Sequence, residues 1–379
     1  MNMAEIASDE WVRPASMDAV VPAVTEVADN VLAPVATRID REGYYPLDEM
    51  SKLARAGAFG AHLDRNGTRF DVAIESMTAI ARRCGSTGFL TWCHDVCGLY
   101  MEQSDNPALA RLLDRHEAGE RFGGTALSNP MKAFAGIEKM LLRARPVPGG
   151  YRISGALPWV SHLDRGQYCG AIASVMREDE TPSHQIMFLL HCTDEVILRE
   201  CPDFSGMEGT STWSVRLDDY FVGEDDLIAD PAEPFIARIR AGFILLQTGM
   251  AMGVARGAID SIEECESLLG HVNRFLHDRP ETLKAEYEEL GERVKRLAGT
   301  PYDDSRDYLL EVLDARTQGA EFVLRATQSA LLHQGARGYL MNSAPQRRIR
   351  EAHFVAIVTP AIKHLRWEMD RLSREEMPS

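Results

Sequence analysis

The chain has 379 residues, 45% hydrophobic and 26% charged. That is ordinary globular composition, and it excludes a disordered chain, a collagen-like chain and a small disulfide scaffold. Lysine plus arginine is 41 against 57 aspartate plus glutamate, a net charge of −16, so neither a nucleic acid nor an anionic membrane is expected as a partner. At roughly 150 residues per domain, two or three domains are expected. Seven scattered cysteines with no C-x-x-C pair point to a reducing, cytoplasmic setting. The acidic N-terminus (Glu5, Asp9, Glu10) does not read as a signal peptide. The longest apolar run, Gly242 to Gly257, is interrupted by Gln247, Thr248 and Arg256, so no membrane span is expected.

The first block, residues 1–120, reads as a helical domain. Val20, Val24, Val27 and Val31 fall on one helix face, and Gly43 with Pro46 ends that pattern. A second helix starts near Asp48. A third runs from Val72 through Ile80 to a stop at Gly85, and a fourth begins near Thr87 and carries Trp92, His94 and Leu99. Cys93 and Cys97, four apart on that helix, read as packed thiols rather than metal ligands. Residues 121–232 change character. Short strand-like runs appear at 140–145, 151–154, 171–176, 185–190, 196–199 and 214–220, with a turn at Pro148-Gly149-Gly150. This argues for a small β-sandwich or barrel. Residues 233–379 are helical again and long enough for a four-helix bundle. Gly249, Gly253 and Gly257 repeat every four residues, which admits close approach of another backbone or of a flat ligand; helix packing is the preferred reading.

The fold class is therefore α+β, with a small β-domain between an N-terminal helical domain and a C-terminal four-helix bundle. Its order and several of its words resemble the acyl-CoA dehydrogenase superfamily of flavoproteins. The resemblance rests on Val31-Leu32-Ala33-Pro34 with Ile39-Asp40-Arg41-Glu42-Gly43, on Gly206-Met207-Glu208-Gly209-Thr210-Ser211-Thr212, on Gly335-Ala336-Arg337-Gly338-Tyr339, and on Arg350-Glu351-Ala352. It implies FAD as cofactor and a homo-oligomer, tetramer or dimer. Leu127-Ser128-Asn129-Pro130 is similar to the family's V-T-E-P, whose hydroxyl faces the flavin pyrimidine. Trp159-Val160-Ser161 is similar to W-I-T, whose hydroxyl lies near flavin N5 while the Trp covers the ring. Arg274, in Asn273-Arg274-Phe275, echoes the arginine that meets a neighbouring subunit's pyrophosphate, and Gly335 and Gly338 match the family's glycine run.

The departures are as informative. The family's base, a Glu, stands nine residues after the Arg of R-D-A; here that position is Thr359, followed by Pro360. A hydroxyl is far too weak to remove an α-proton near neutral pH. The alternative position of that Glu, on the first bundle helix, falls at Phe243. His94 aligns near the floor of the acyl pocket and is the remaining candidate proton handler, with Thr359 as the second catalytic candidate. Lys363 and His364 are weaker sources of charge. Arg347, Arg348 and Arg350 read either as solvated surface or as an anion contact. The expected activity is FAD-dependent oxidation of a small molecule, which includes a CoA thioester. O2 is the expected oxidant, with α,β-dehydrogenation linked to an electron-transfer partner as the alternative. A non-catalytic flavin-binding or scaffold protein is the third reading.

Overall fold

The computed structural model describes residues 14–374. The first helical block comprises α1 (Val20–Val27), α2 (Ala33–Glu42), α3 (Leu47–Arg55), α4 (Phe70–Arg83), α5 (Gly85–Glu102), α6 (Pro107–Ala110) and α7 (Leu113–Glu117). The middle block holds β1 (Gly123–Thr125), α8 (Ser128–Phe134), β2 (Arg143–Val147), β3 (Gly150–Val160), β4 (Tyr168–Met176), β5 (Pro182–His191), β6 (Ile197–Glu200), β7 (Trp213–Gly223) and β8 (Leu227–Ala229). The second helical block is α9 (Ala232–Leu246), α10 (Thr248–Asn273), α11 (Pro280–Leu297), α12 (Arg306–Gln334), α13 (Ala344–Ile357) and α14 (Ile362–Arg374). Helices α10 to α13 pack on one another as the expected bundle.

The strands form one eight-stranded sheet in the order β6-β7-β3-β2-β4-β5-β8, with β1 added in parallel beside β4. Among the described residues the path is open, so the expected sandwich or barrel is a single continuous sheet. Its core includes Ile153, Leu157, Val160, Ala171, Phe188 and Leu217. The two helical blocks do not have separate cores: Val24, Met77, Leu90, Ile244, Val254, Val323 and Leu365 belong to one cluster.

Two local expectations shift. Val20, Val24 and Val27 are buried, but Val31 is only half-buried. Residues Ala28–Leu32 form a π-turn, which adds a residue to the helical cycle and rotates the face, so Leu32 takes the buried place. Gly85 opens α5 rather than closing α4. The break is the extended backbone of Cys84, and a Cβ on Gly85 would stand 2.8 Å from the Glu351 carboxyl carbon.

The glycine repeat explains how the helical blocks fuse. A Cβ on Gly249 would lie 2.9 Å from the Ile74 carbonyl oxygen, one on Gly253 2.5 Å from the Thr78 carbonyl oxygen, and one on Gly257 2.6 Å from the Arg82 carbonyl oxygen. Helix α10 thus lies directly on the backbone of α4, and the packing reading of the stripe holds. Two stretches, Met17–Glu42 and Ala232–Asn273, are long and apolar enough to cross a membrane, contrary to expectation; 94% of the apolar window in the second lies inside the core.

The arginine cluster is neither solvated nor free for an anion. Arg350 grips Asp40 through both guanidinium ends, at 2.7 and 2.6 Å, tying α13 to α2. Arg348 donates to Ser261 Oγ at 2.7 Å, and Arg347 pairs with Glu351 at 3.2 Å and donates to the Arg83 carbonyl. Inside the protein these guanidiniums hold carboxylates, a hydroxyl and helix-end carbonyls, and their Nε–H groups are left without a hydrogen-bond partner among the described residues.

Gly253→Ala should overpack the α4–α10 contact. A loss of about 1–3 kcal/mol in unfolding free energy is expected, read by urea denaturation against a Gly223→Ala control, where φ is −79° and an added Cβ meets only an ordinary contact at 3.6 Å. Equal midpoints for Gly253→Ala and the wild type would show that the helices can part without cost.

Candidate active site

The site lies where the middle block meets the end of α13. Helix α8 starts at Ser128, and the segment joining α13 to α14 carries Thr359. Their hydroxyls meet, with Ser128 Oγ 3.0 Å from Thr359 Oγ1. Beside them opens a cavity of about 220 Å³ lined by Ala126, Ser128, Lys132, Glu138, Leu157 and Trp159 among others.

Trp159 is turned into this space by a defect in the sheet. The β3–β7 ladder pairs Leu157 with Val215 and Val160 with Trp213, so β3 spends one residue more than β7 between those rungs. Such a bulge re-aims a side chain. Val160 stays fully buried while the Trp159 ring is 55% exposed. The next residue, Ser161, bridges to Thr125, which brings both predicted motifs to one edge. Leu127 and Val160 have buried side chains, so only their backbones face a ligand.

The proton on the Ser161 hydroxyl can be assigned by elimination. Thr210 Oγ1 donates to the Met207 carbonyl at 2.7 Å. It must therefore accept from Thr212, 2.9 Å away, and Thr212 must accept from Ser161 at 2.7 Å. Ser161 has its only proton engaged and presents lone pairs outward. It is set to receive an N–H.

Among the described residues that line the cavity there is one carboxylate, Glu138. Lys132 holds it at 2.8 Å and Asn129 donates to it at 3.2 Å. The lysine ammonium keeps its carboxyl below the usual range, which makes it a poor base. Phe243 packs against Trp92 and Tyr100 in an aromatic cluster, so the alternative base position is apolar wall. Lys363 is exposed and His364 buried in α14. Burial lowers the His364 pKa, with the Glu368 carboxylate opposing.

His94 corrects an expectation. Its ring is fully buried and stacks on His116 with centroids 3.6 Å apart. The Gly123 N–H points at Nδ1, so the Nε2–H donates to the His116 carbonyl; His116 returns the bond to the His94 carbonyl, both at 2.9 Å. Both nitrogens of His94 are spent on backbone. Desolvation holds its pKa well below the usual value. It is a neutral core residue, not a proton handler. A lone helix histidine gives no sequence signal that separates these two fates.

Arg274, Gly335 and Gly338 are also not brought to this cavity. Asn273 reaches the His333 carbonyl, which places Arg274 beside the glycine run. That region is the far end of the 26-residue α10, whose start adjoins Thr359 through Gln247. At 1.5 Å per residue the separation is about 39 Å. Around Arg274 the surface is apolar, with Leu268, Val272, Phe275, Leu332, Tyr339 and Leu340 all exposed.

Comparison with known proteins places this arrangement. The pattern of the "Acyl-CoA dehydrogenase, N-terminal domain" family matches residues 15–107. Among curated proteins, the probable acyl-CoA dehydrogenase YngJ of Bacillus subtilis is 22% identical, over 88% of this chain and 91% of its own length. Butyryl-CoA dehydrogenase from Megasphaera elsdenii superposes with a TM-score of 0.82 at 16% identity, covering 94% of this chain and 97% of that one. Residues 15–107 thus match that family's N-terminal domain, and the chain as a whole has the acyl-CoA dehydrogenase fold. Acyl-CoA dehydrogenases are not its only likeness. The dibenzothiophene monooxygenase TdsC from Paenibacillus sp. A11-2 superposes with a TM-score of 0.77 at 17% identity, covering 95% and 98% of the two chains.

Within this acyl-CoA dehydrogenase scaffold, the buried histidines set a pH dependence. Burial, the largest cause in each, holds His62 down to about 4 and His162 to about 3, and His94 and His116 well below 6.5. Between pH 6.5 and those values the unfolded chain binds four protons that the folded chain refuses, so stability falls as pH falls. Asp95 and Glu351, raised by burial, act oppositely, because folding keeps protons there that the unfolded chain has released. His364, lowered by burial, joins the first group and Glu102, raised by burial, the second, and the histidines' majority leaves a net loss of stability toward acid between pH 6.5 and 5. Urea denaturation at both pH values reads it; equal or greater stability at pH 5 would contradict the neutral assignment.

Proposed function

We propose that the chain is a FAD-dependent oxidoreductase that uses O2 as oxidant on a small activated molecule, such as a cyclic or aromatic metabolite or an activated acyl thioester. The observation that carries the reading is the Ser128–Thr359 hydroxyl pair at 3.0 Å, standing where a dehydrogenase needs a carboxylate. Proton removal from an unactivated thioester requires a base near working pH. Thr359 is not one, and Glu138 is tied to Lys132.

The residues fit a flavin. A flat ring system needs an uncovered aromatic or apolar wall and a few aimed polar groups. The bulge leaves Trp159 exposed, Ser161 offers an acceptor at the same sheet edge, and Ser128 offers a hydroxyl in the cavity lining. FAD would supply the redox centre that reacts with O2. The chain's own part is to hold the ring against Trp159, to accept an N–H at Ser161, and to orient substrate through Ser128 and Thr359. The distance to Arg274, Gly335 and Gly338, together with the apolar surface around them, supports a homo-oligomer in which a second copy brings these groups to the cofactor.

Purified protein should be yellow with FAD bound. Butyryl-CoA under anaerobic conditions should leave the flavin absorbance unchanged, and dithionite-reduced protein should reoxidise rapidly on mixing with air. Bleaching by butyryl-CoA with sluggish reoxidation would establish the dehydrogenase instead, and colourless protein that takes up no FAD would leave the scaffold reading.

Thr359→Ala should cost turnover less than the ~10²–10⁴-fold that follows loss of a general base. A larger loss with FAD retained would mean that Thr359 takes part in bond making.

A further inference from the structure

Directly behind the hydroxyl pair the protein buries a full positive charge. Arg316 projects from the middle of α12 and is 0% exposed, and it is the largest fully buried side chain of the described residues. Its Nε donates to Gln247 Oε1 at 2.8 Å and its Nη2 to the Val355 carbonyl at 2.6 Å. Its Nη1 has no partner among the described residues. No carboxylate among them is paired with it; of the other buried arginines, Arg347 has Glu351, while Arg348 rests on the Ser261 hydroxyl and the Arg82 carbonyl, away from this cavity. Gln247, also fully buried, passes the contact on, its Nε2 donating to the Thr359 carbonyl at 2.9 Å. The chain of bonds runs from Arg316 through Gln247 to Thr359, whose hydroxyl meets Ser128.

Burying an unpaired cation costs several kcal/mol. Packing does not require it: a methionine fills a similar space without a charge. Burial brings the guanidinium pKa down only to about 10, so it stays charged at neutral pH. In a low-dielectric interior such a charge acts over a distance, because the surrounding apolar groups screen it weakly.

We propose that Arg316 is the positioning residue of this site: it fixes the Thr359 turn through Gln247 and lends the cavity a positive field that favours an anion at the Ser128–Thr359 hydroxyls. A site built this way needs no carboxylate base. It suits reactants that already carry negative charge or acquire it readily, such as an enolate, a phenolate or a reduced flavin ring. The inference rests on the flavin reading above, and the two can fail separately.

Sulfite is a suitable probe, because its sulfur adds to the bound oxidised flavin with both bonding electrons and leaves the ring anionic and bleached. No substrate or turnover is required. Arg316→Met should weaken sulfite binding about tenfold or more, as expected for loss of one nearby charge. Arg316→Lys retains the charge and should remain within about threefold of wild type. Gln247→Glu is close in shape and sets a carboxylate against Arg316. It should fold even if Arg316→Met does not, and it should weaken sulfite binding comparably while FAD content and melting temperature hold. Wild-type sulfite affinity in both Arg316→Met and Gln247→Glu, or only in Gln247→Glu if the methionine variant does not fold, overturns the proposal while leaving the flavin reading intact. Equal weakening by Arg316→Lys also overturns it, since a retained charge would then fail to favour the anion. Wild-type protein that takes up no flavin defeats both.

Discussion

The close seating of α10 on α4 is the constraint on which the rest depends. Gly249, Gly253 and Gly257 leave no room for side chains at the crossing. Dispersion contacts fall off steeply with separation, so backbones this close gain what a methyl-sized gap would forfeit. The contact merges two helical blocks, distant in sequence, into one core. It also fixes where α10 begins, at the junction that carries Gln247, and so aims the hydrogen bond that reaches Thr359. The sheet then lies against this helical body, and the Ser128–Thr359 contact crosses between them beside the cavity.

Polar groups inside that body divide into two kinds. The Arg350–Asp40 fork and the reciprocal His94–His116 bonds hold elements together. Arg316, Thr359, Ser128 and Ser161 lie at or behind the cavity: Ser128 lines it and meets Thr359, Ser161 has its proton engaged by Thr212, and Arg316 Nη1 lacks a partner among the described residues. Unpartnered polar groups are expensive in a folded protein and are often completed by a ligand.

The block order, the bundle and the β-domain were legible from hydrophobic periodicity and turn residues, because burial imposes those patterns directly. So was the meeting of Ser128 with the Trp159–Ser161 strand, which the motif resemblance implied. The π-turn at Ala28–Leu32 was not legible, since it alters the phase of a helix without a distinctive residue. The fate of His94 was hidden for a similar reason: its partners are backbone atoms of residues 22 and 29 positions away. Arg316 was passed over because a lone arginine in a helical pattern reads as surface. Only the packing of α9, α12 and α13 around it reveals that it has no exit to water.

The length of α10 has a consequence for how the protein comes to hold a cofactor. If Arg274 and the glycine run complete the flavin site of another copy, no isolated chain possesses a whole site. Retention of the cofactor then becomes a mass-action property: dilution lowers the number of complete sites before it unfolds any chain. Cofactor and partner stabilise each other through the same linkage, so excess FAD would draw protomers together, and crowded protomers would hold FAD more tightly.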